Sequence, residues 1–209
     1  MAGDAKMLTL DHIAVAAETL DEGRAFAEDL LGIPLLPGGR HAAMGTHNML
    51  LGLQDGLYLE LIAIDPDAPP PGRPRWFDLD RFSGPPRLTN WICRVPDLEA
   101  VLGRLPAGEP LDLARGDLRW RMGVPADGHL PFDNCHPALI EWQGDVHPMD
   151  RLPNSGLRLS ALRILHPRAD EMQALLAPVL EDGRIAFVPA DTPALEAVIE
   201  TPAGERVLR

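Results

Sequence analysis

Residues 10–16, LDHIAVA, alternate in a way that suits a strand: Ile13 and Val15 fall on one face, His12, Ala14 and Ala16 on the other. His12 is the polar exception on an otherwise apolar face. The pattern then changes to a helical one. Thr19 and Glu22 have the spacing of a capping box, and Leu20, Phe26, Ala27, Leu30 and Leu31 form one helical face. Gly32 followed by Ile33-Pro34 ends that helix. Two apolar runs, residues 48–53 and 57–64, flank Gln54-Asp55-Gly56 and read as a β-hairpin. On its second strand Tyr58, Glu60 and Ile62 share the face opposite Leu57, Leu59 and Leu61.

The alternation restarts at residues 88–95, LTNWICRV, and again at residues 157–164, LRLSALRI. The second unit continues with a short helix from Leu98. A hairpin follows around Arg115-Gly116-Asp117, then a strand over residues 138–143. The third adds a helix near residues 168–180 and three further strands. Aligning the opening strands sets His12 over Asn90, and aligning the closing strands sets Glu60 over Glu141. The third unit has Ala161 at the His12 position. Each unit reads β-α-β-β-β, with modules at about residues 8–66, 88–143 and 157–209. This is an α+β chain of repeated βαβββ modules whose curved mixed sheets surround a concave cavity. The proline-rich connection, residues 65–87, carries Trp76, Phe77 and Phe82. It is either a crossover with aromatic anchors or a lid over the cavity.

Composition narrows the function classes. A net charge of −12 opposes nucleic acid and anionic lipid as partners. No apolar run reaches the ~20 residues that span a bilayer, and the first residues lack a leader pattern, so a cytoplasmic location is expected. Cys93 and Cys135, the chain's 2 cysteines, lack CxxC spacing and read as free thiols. Glycine-rich nucleotide loops, a GxSxG elbow and HExxH are all missing.

By alternation His12, Glu60, Asn90 and Glu141 point into the shared concave face. One imidazole, two carboxylates and an amide suit a divalent ion such as Zn, Mn, Fe, Ni or Mg. The alternative is a metal-free polar cavity in which His12 and Glu60 offset each other's burial. His41 and His47 are candidate substrate contacts, and His47 also reads as a structural histidine. Arg119 and Arg121 are candidates to clamp a carboxylate, or members of an exposed strand face. Trp76 is a candidate substrate contact from the connection. His136 and His147 each precede proline and read as structural.

LDHIAVA, GGRHAAMGTHN, GLYLELIAID and HPALIEWQGDVHP resemble the glyoxalase-like domain family of the vicinal oxygen chelate superfamily. The resemblance implies paired βαβββ modules with ligands on their first and last strands. It implies His12, Glu60 and Glu141 as metal ligands, with Glu60 and Glu141 as catalytic carboxylates. Asn90 departs from the pattern, because metal-binding members usually carry His or Gln there. The expected function is a metal-dependent lyase or isomerase acting on a small oxygenated metabolite. The alternative is a metal-free protein that binds or sequesters a small molecule. A small-molecule ligand is the expected partner, and a homodimer is the assembly left open.

Overall fold

The structure is a computed structural model that describes residues 7–209. The first module comprises β1 (Thr9–Ala16), α1 (Leu20–Leu31), β2 (Leu36–His41), β3 (Thr46–Gly52) and β4 (Tyr58–Ile64). The second comprises β5 (Arg87–Arg94), α2 (Leu98–Leu102), β6 (Glu109–Arg115), β7 (Leu118–Val124) and β8 (Ala138–Gln143). The chain ends with β9 (Arg158–His166), α3 (Ala169–Leu176), β10 (Ile185–Pro189), β11 (Ala194–Thr201) and β12 (Gly204–Leu208).

Local chemistry sets the first module's boundaries. Thr19 caps α1, its Oγ1 accepting from the Glu22 amide at 3.2 Å, and Gly32 closes the helix in the left-handed region at φ 72. Gly23 lies inside α1 where helix and sheet nearly touch. A Cβ there would stand 2.3 Å from Leu61 Cδ1, so only glycine lets the helix lie this close to β4. The β3–β4 connection is tight, with Asp55 at φ 61 and Gly56 at φ 73.

The first two modules merge into one eight-stranded sheet in the order β2-β3-β4-β1-β5-β8-β7-β6. In each module the opening and closing strands pair in parallel, and the modules join through the antiparallel β1–β5 pair. The sheet twists and curls into a half-barrel, bringing edge strands β2 and β6 together. The side chain of Arg115, at the end of β6, lies against Gly39 of β2. The core is continuous through both modules, with Trp91, Ile13, Leu59 and Leu98 among its largest fully buried side chains.

The third stretch has the expected succession of elements but a different strand order. It forms its own four-stranded sheet, β10-β9-β11-β12. Its opening strand β9 takes β10, directly after the helix, as parallel partner, whereas β1 and β5 each take the last strand of their module. It therefore does not extend the half-barrel. Trp91 and Phe187 meet between the two sheets, and Leu88 N donates to Arg209 O at 2.9 Å. Among the described residues, no helix is long and apolar enough to cross a membrane.

Candidate functional site

The concave face of the half-barrel holds a small pocket lined by His12, His41, Asn48, Tyr58, Glu60, Trp76, Arg115 and a wall of Trp120, Met122, Ile140 and Trp142. Strand pairing assembles it. Parallel β1 and β4 set His12 beside Tyr58 and Ala14 beside Glu60, and antiparallel β3 and β4 set Asn48 and Leu50 on the same face. The Tyr58 ring stacks on the His12 ring, with centroids 4.3 Å apart.

β1 carries an irregularity between Leu10 and His12, where its register against β5 shifts. Asp11 falls at this bulge and is fully buried beside its neighbour. Asp11 Oδ1 lies 2.7 Å from His12 Nδ1. Its other oxygen, Oδ2, accepts from Trp142 Nε1 at 3.2 Å and lies 3.1 Å from His147 Nε2. The carboxylate of the first module is thus fixed by Trp142 of the second and by His147 just beyond it. With Nδ1 committed to Asp11, His12 turns Nε2 toward Glu60 Oε2, 3.6 Å away. That gap exceeds a hydrogen bond, so both atoms face the pocket.

Burial alone would lower the His12 pKa, but the Asp11 hydrogen bond and the negative charges of Asp11 and Glu60 outweigh it and raise it. For Glu60, burial raises the pKa, yet His12, with help from His41 and Asn48, holds the carboxyl down at about 2. The Asp11 carboxyl, raised by burial, is pulled well below the carboxylate range by His12 and His147. The three groups form a buried carboxylate–imidazole–carboxylate row that favours the charged ring.

A second set of polar groups flanks Glu60. Asn48 Nδ2 donates to Glu60 Oε1 at 2.6 Å, and Asn48 Oδ1 accepts from Arg115 Nη1 at 2.9 Å. Arg115 Nη1 also lies 3.1 Å from His41 Nε2. Burial lowers the His41 pKa to about 4, so its ring is neutral at pH 7. A neutral ring accepts from Arg115 at Nε2 and donates from Nδ1 to Thr46 Oγ1 at 3.0 Å.

The structure thus gathers four of the sequence candidates, His12, Glu60, His41 and Trp76, in one pocket. Asn90 is on the same face but beyond the pocket lining. It pairs with Ala14 across β1–β5, and both its amide atoms are buried without a partner. Glu141 is not brought to His12 and Glu60. Ile140 and Trp142 take the concave face of β8, so Glu141 projects outward, where its Oε2 accepts the Leu98 amide at 2.8 Å and caps α2. Arg119 and Arg121 are likewise outward, because Trp120 and Met122 take the concave face of β7. Arg119 donates to Gly116 O and Leu118 O, and Arg121 pairs with Glu99 and Asp112. His47 lies on the opposite face of β3 from Asn48. Cys93 and Cys135 are both buried, and burial pushes the Cys135 thiol up to about 12, which removes it as a nucleophile at neutral pH.

With Glu141 turned away, the imidazole and carboxylate donors at the pocket are His12 Nε2, Glu60 and His41, whose Nε2 already faces Arg115 Nη1 at 3.1 Å. The facing wall offers the side chains of Met122 and Ile140, and the Arg115 guanidinium adds a positive charge at the pocket. Among the described residues, no group of three or more His, Cys, Asp or Glu converges on a metal position. This donor set does not fit the ion site implied by the resemblance.

Residues 65–87 reach this pocket through Trp76 and Phe77. They carry a short 3-10 turn, Trp76–Arg81, with Trp76, Phe77 and Leu79 buried. Trp76 meets the His41 ring edge-on, with centroids 5.1 Å apart. Phe77 and Asp78 hold left-handed backbone at φ 60 and 59. Asn134 Nδ2 donates to Phe77 O at 3.2 Å, and Asp78 N donates to Gly128 O at 2.9 Å.

Two parallel-paired βαβββ modules sharing one concave polar face define the class of fold. The model of the glyoxalase-like domain family matches residues 10–180, and the chain belongs to that family. No curated relative matches by sequence. Among solved structures, a hypothetical protein from Staphylococcus aureus is 15% identical with a TM-score of 0.60, covering 96% of this chain and 84% of its own. Methylmalonyl-CoA epimerase from Mycobacterium tuberculosis is 21% identical with a TM-score of 0.44, covering 70% and 94%. A xylose isomerase-like TIM barrel/4-hydroxyphenylpyruvate dioxygenase fusion protein is 17% identical with a TM-score of 0.48, covering 95% of this chain and 31% of its own.

Proposed function

We propose that the protein is an isomerase- or lyase-type enzyme that moves a proton on a small carbonyl or hydroxy-acid group without a bound metal. The observation that carries this reading is the row Asp11–His12–Glu60, in which His12 Nε2 and Glu60 Oε2 lie 3.6 Å apart, an ion-pair distance, at the pocket. A substrate lying over both atoms on the pocket side meets an acid at its carbonyl oxygen and a carboxylate at the adjacent carbon. The His12 imidazolium donates its Nε2 proton to the oxygen, and Glu60 takes the proton from the carbon.

The two steps reinforce each other. The charge on His12 is what holds Glu60 at about 2 against burial. As that proton passes to the substrate, the charge disappears and Glu60 becomes a stronger base. Asp11 orients the ring and stabilises its charged form. Arg115, reaching from the second module, retains donors beyond Nη1 for a substrate carboxylate or oxyanion. Trp76 and the aromatic wall exclude water.

The test is proton exchange in D2O, followed by NMR with a panel of 2-oxo and 2-hydroxy acids. Wild-type protein washes deuterium into the carbon next to the carbonyl, and His12→Ala loses about 100-fold or more of that rate. Saturable binding with no exchange by wild-type protein would overturn this reading. It would favour instead a binding or sequestering protein, which the mutual pairing of the pocket's charges also suits.

A further inference from the structure

The His12–Glu60 pocket has a volume of only about 30 Å³, the share of liquid held by one water molecule. It is too small for a whole metabolite. A second, much larger cavity of about 760 Å³ opens between α1, residues 77–89 and the four-stranded sheet. That volume is in the range of cavities that enclose small ligands. Phe77 lines both, and it is the one residue common to the two walls.

The large cavity is apolar in its body. Phe26 and Leu30 of α1, Phe82 and Pro85 of the connection, Leu195 of β11 and Val207 of β12 line it. Its charged groups are occupied. Arg81 pairs with Asp78 at 2.5 Å and Arg209 with Glu196 at 2.8 Å, while the Arg87 guanidinium lies over the Phe82 ring at 4.2 Å. A chain without charge suits such a lining. Val207, 40% exposed, is the exposed large hydrophobic side chain among the described residues.

We infer that this cavity holds the uncharged, apolar tail of the same ligand whose oxygenated head enters the His12–Glu60 pocket. The substrate class is a medium-chain or arylalkyl oxo or hydroxy acid, not a two- or three-carbon metabolite. Only the head-group assignment rests on the proton-transfer reading. Phe77 is the partition. Its left-handed backbone is held by Asn134 and, through Asp78, by Gly128, and a ligand that spans both spaces requires the ring to move aside when it binds.

The experiment compares 2-oxobutanoate with 2-oxodecanoate by tryptophan fluorescence titration, and adds N-phenyl-1-naphthylamine as an uncharged reporter of the cavity. 2-Oxodecanoate is expected to bind at least ~10-fold tighter than 2-oxobutanoate, because the added methylenes leave water. It is also expected to displace the reporter. Val207→Glu, at an exposed position that leaves folding intact, cuts the chain-length advantage to below about 3-fold. Equal affinities for the two acids overturn the inference, as does a reporter that fails to bind or is not displaced. A chain-length advantage in a protein that shows no deuterium exchange sinks the proton-transfer reading and leaves this inference standing.

Discussion

Asp11 and His12 are sequence neighbours whose side chains meet at 2.7 Å because a bulge in β1 turns both toward the same interior. In a regular strand they would point to opposite faces. Asp11→Asn keeps the shape but removes the charge that supports the imidazolium. The expected result is a deuterium-exchange rate about 10- to 100-fold lower, with the far-UV circular dichroism unchanged. An unchanged rate would show that Asp11 merely packs.

Glu141 and Glu60 stand at matching places in the two modules, yet they do different work. Glu141 caps α2 through the Leu98 amide. Glu141→Gln is expected to cost about 1 kcal/mol in urea unfolding while leaving exchange unaltered. Glu60→Gln is expected to abolish exchange. Equal losses of activity in the two variants would restore Glu141 to the site.

Much of the architecture was legible in the chain. The Thr19 cap, the Gly32 stop, the Asp55-Gly56 turn and the two restarts each rest on short-range chemistry that tertiary packing does not override. The face of β8 was not legible. Leu139 and Ile140 are buried on opposite sides of the sheet, so with the partly buried Trp142 they carry no sign of which side is concave. Alternation separated Glu141 from Trp142 correctly but could not say which of them points inward. Asp11 was hidden because a bulge breaks the alternation that excluded it. Arg115 was hidden because it reads as a hairpin-turn residue, and only closure of β6 onto β2 brings it to His41 and Asn48. The third unit's strand order depends on long-range pairing, which the succession of elements alone does not determine.

Gly56 tests the hairpin that carries Glu60. Its φ is 73, and a Cβ would meet nothing within 4 Å, so substitution costs backbone strain alone. Gly56→Ala is expected to lower stability by about 1 kcal/mol. Gly183→Ala, equally open but without positive φ, serves as the control and is expected to be neutral or slightly stabilising.

Stability should fall with acid in a window set by two histidines. Burial lowers the pKa of His41 and of His136 to about 4 each, so each contributes stability above the unfolded value near 6.5 that is lost as pH falls through 4. His12 has the opposite sign. Its contribution is complete below 6.5 and lost as pH rises through its raised value, so it does not offset further loss on the acid side. Glu60 adds stability above about 4.5 that disappears toward 2. Urea midpoints are therefore expected to drop between pH 6.5 and 4, at roughly 1.4 kcal/mol per pH unit for each histidine at most. His136→Gln should make that slope shallower. Parallel curves for wild type and variant would refute the assignment.

The most direct measurement is an NMR titration of the His12 ring nitrogens in wild-type, Asp11→Asn and Glu60→Gln proteins. A wild-type imidazolium that persists above pH 6.5 is expected, with the titration moving to lower pH in each variant as a neighbouring carboxylate is neutralised. A His12 ring that is neutral at pH 6.5 in the wild type, or that titrates identically in all three proteins, would contradict the acid–base row on which the proposed chemistry depends.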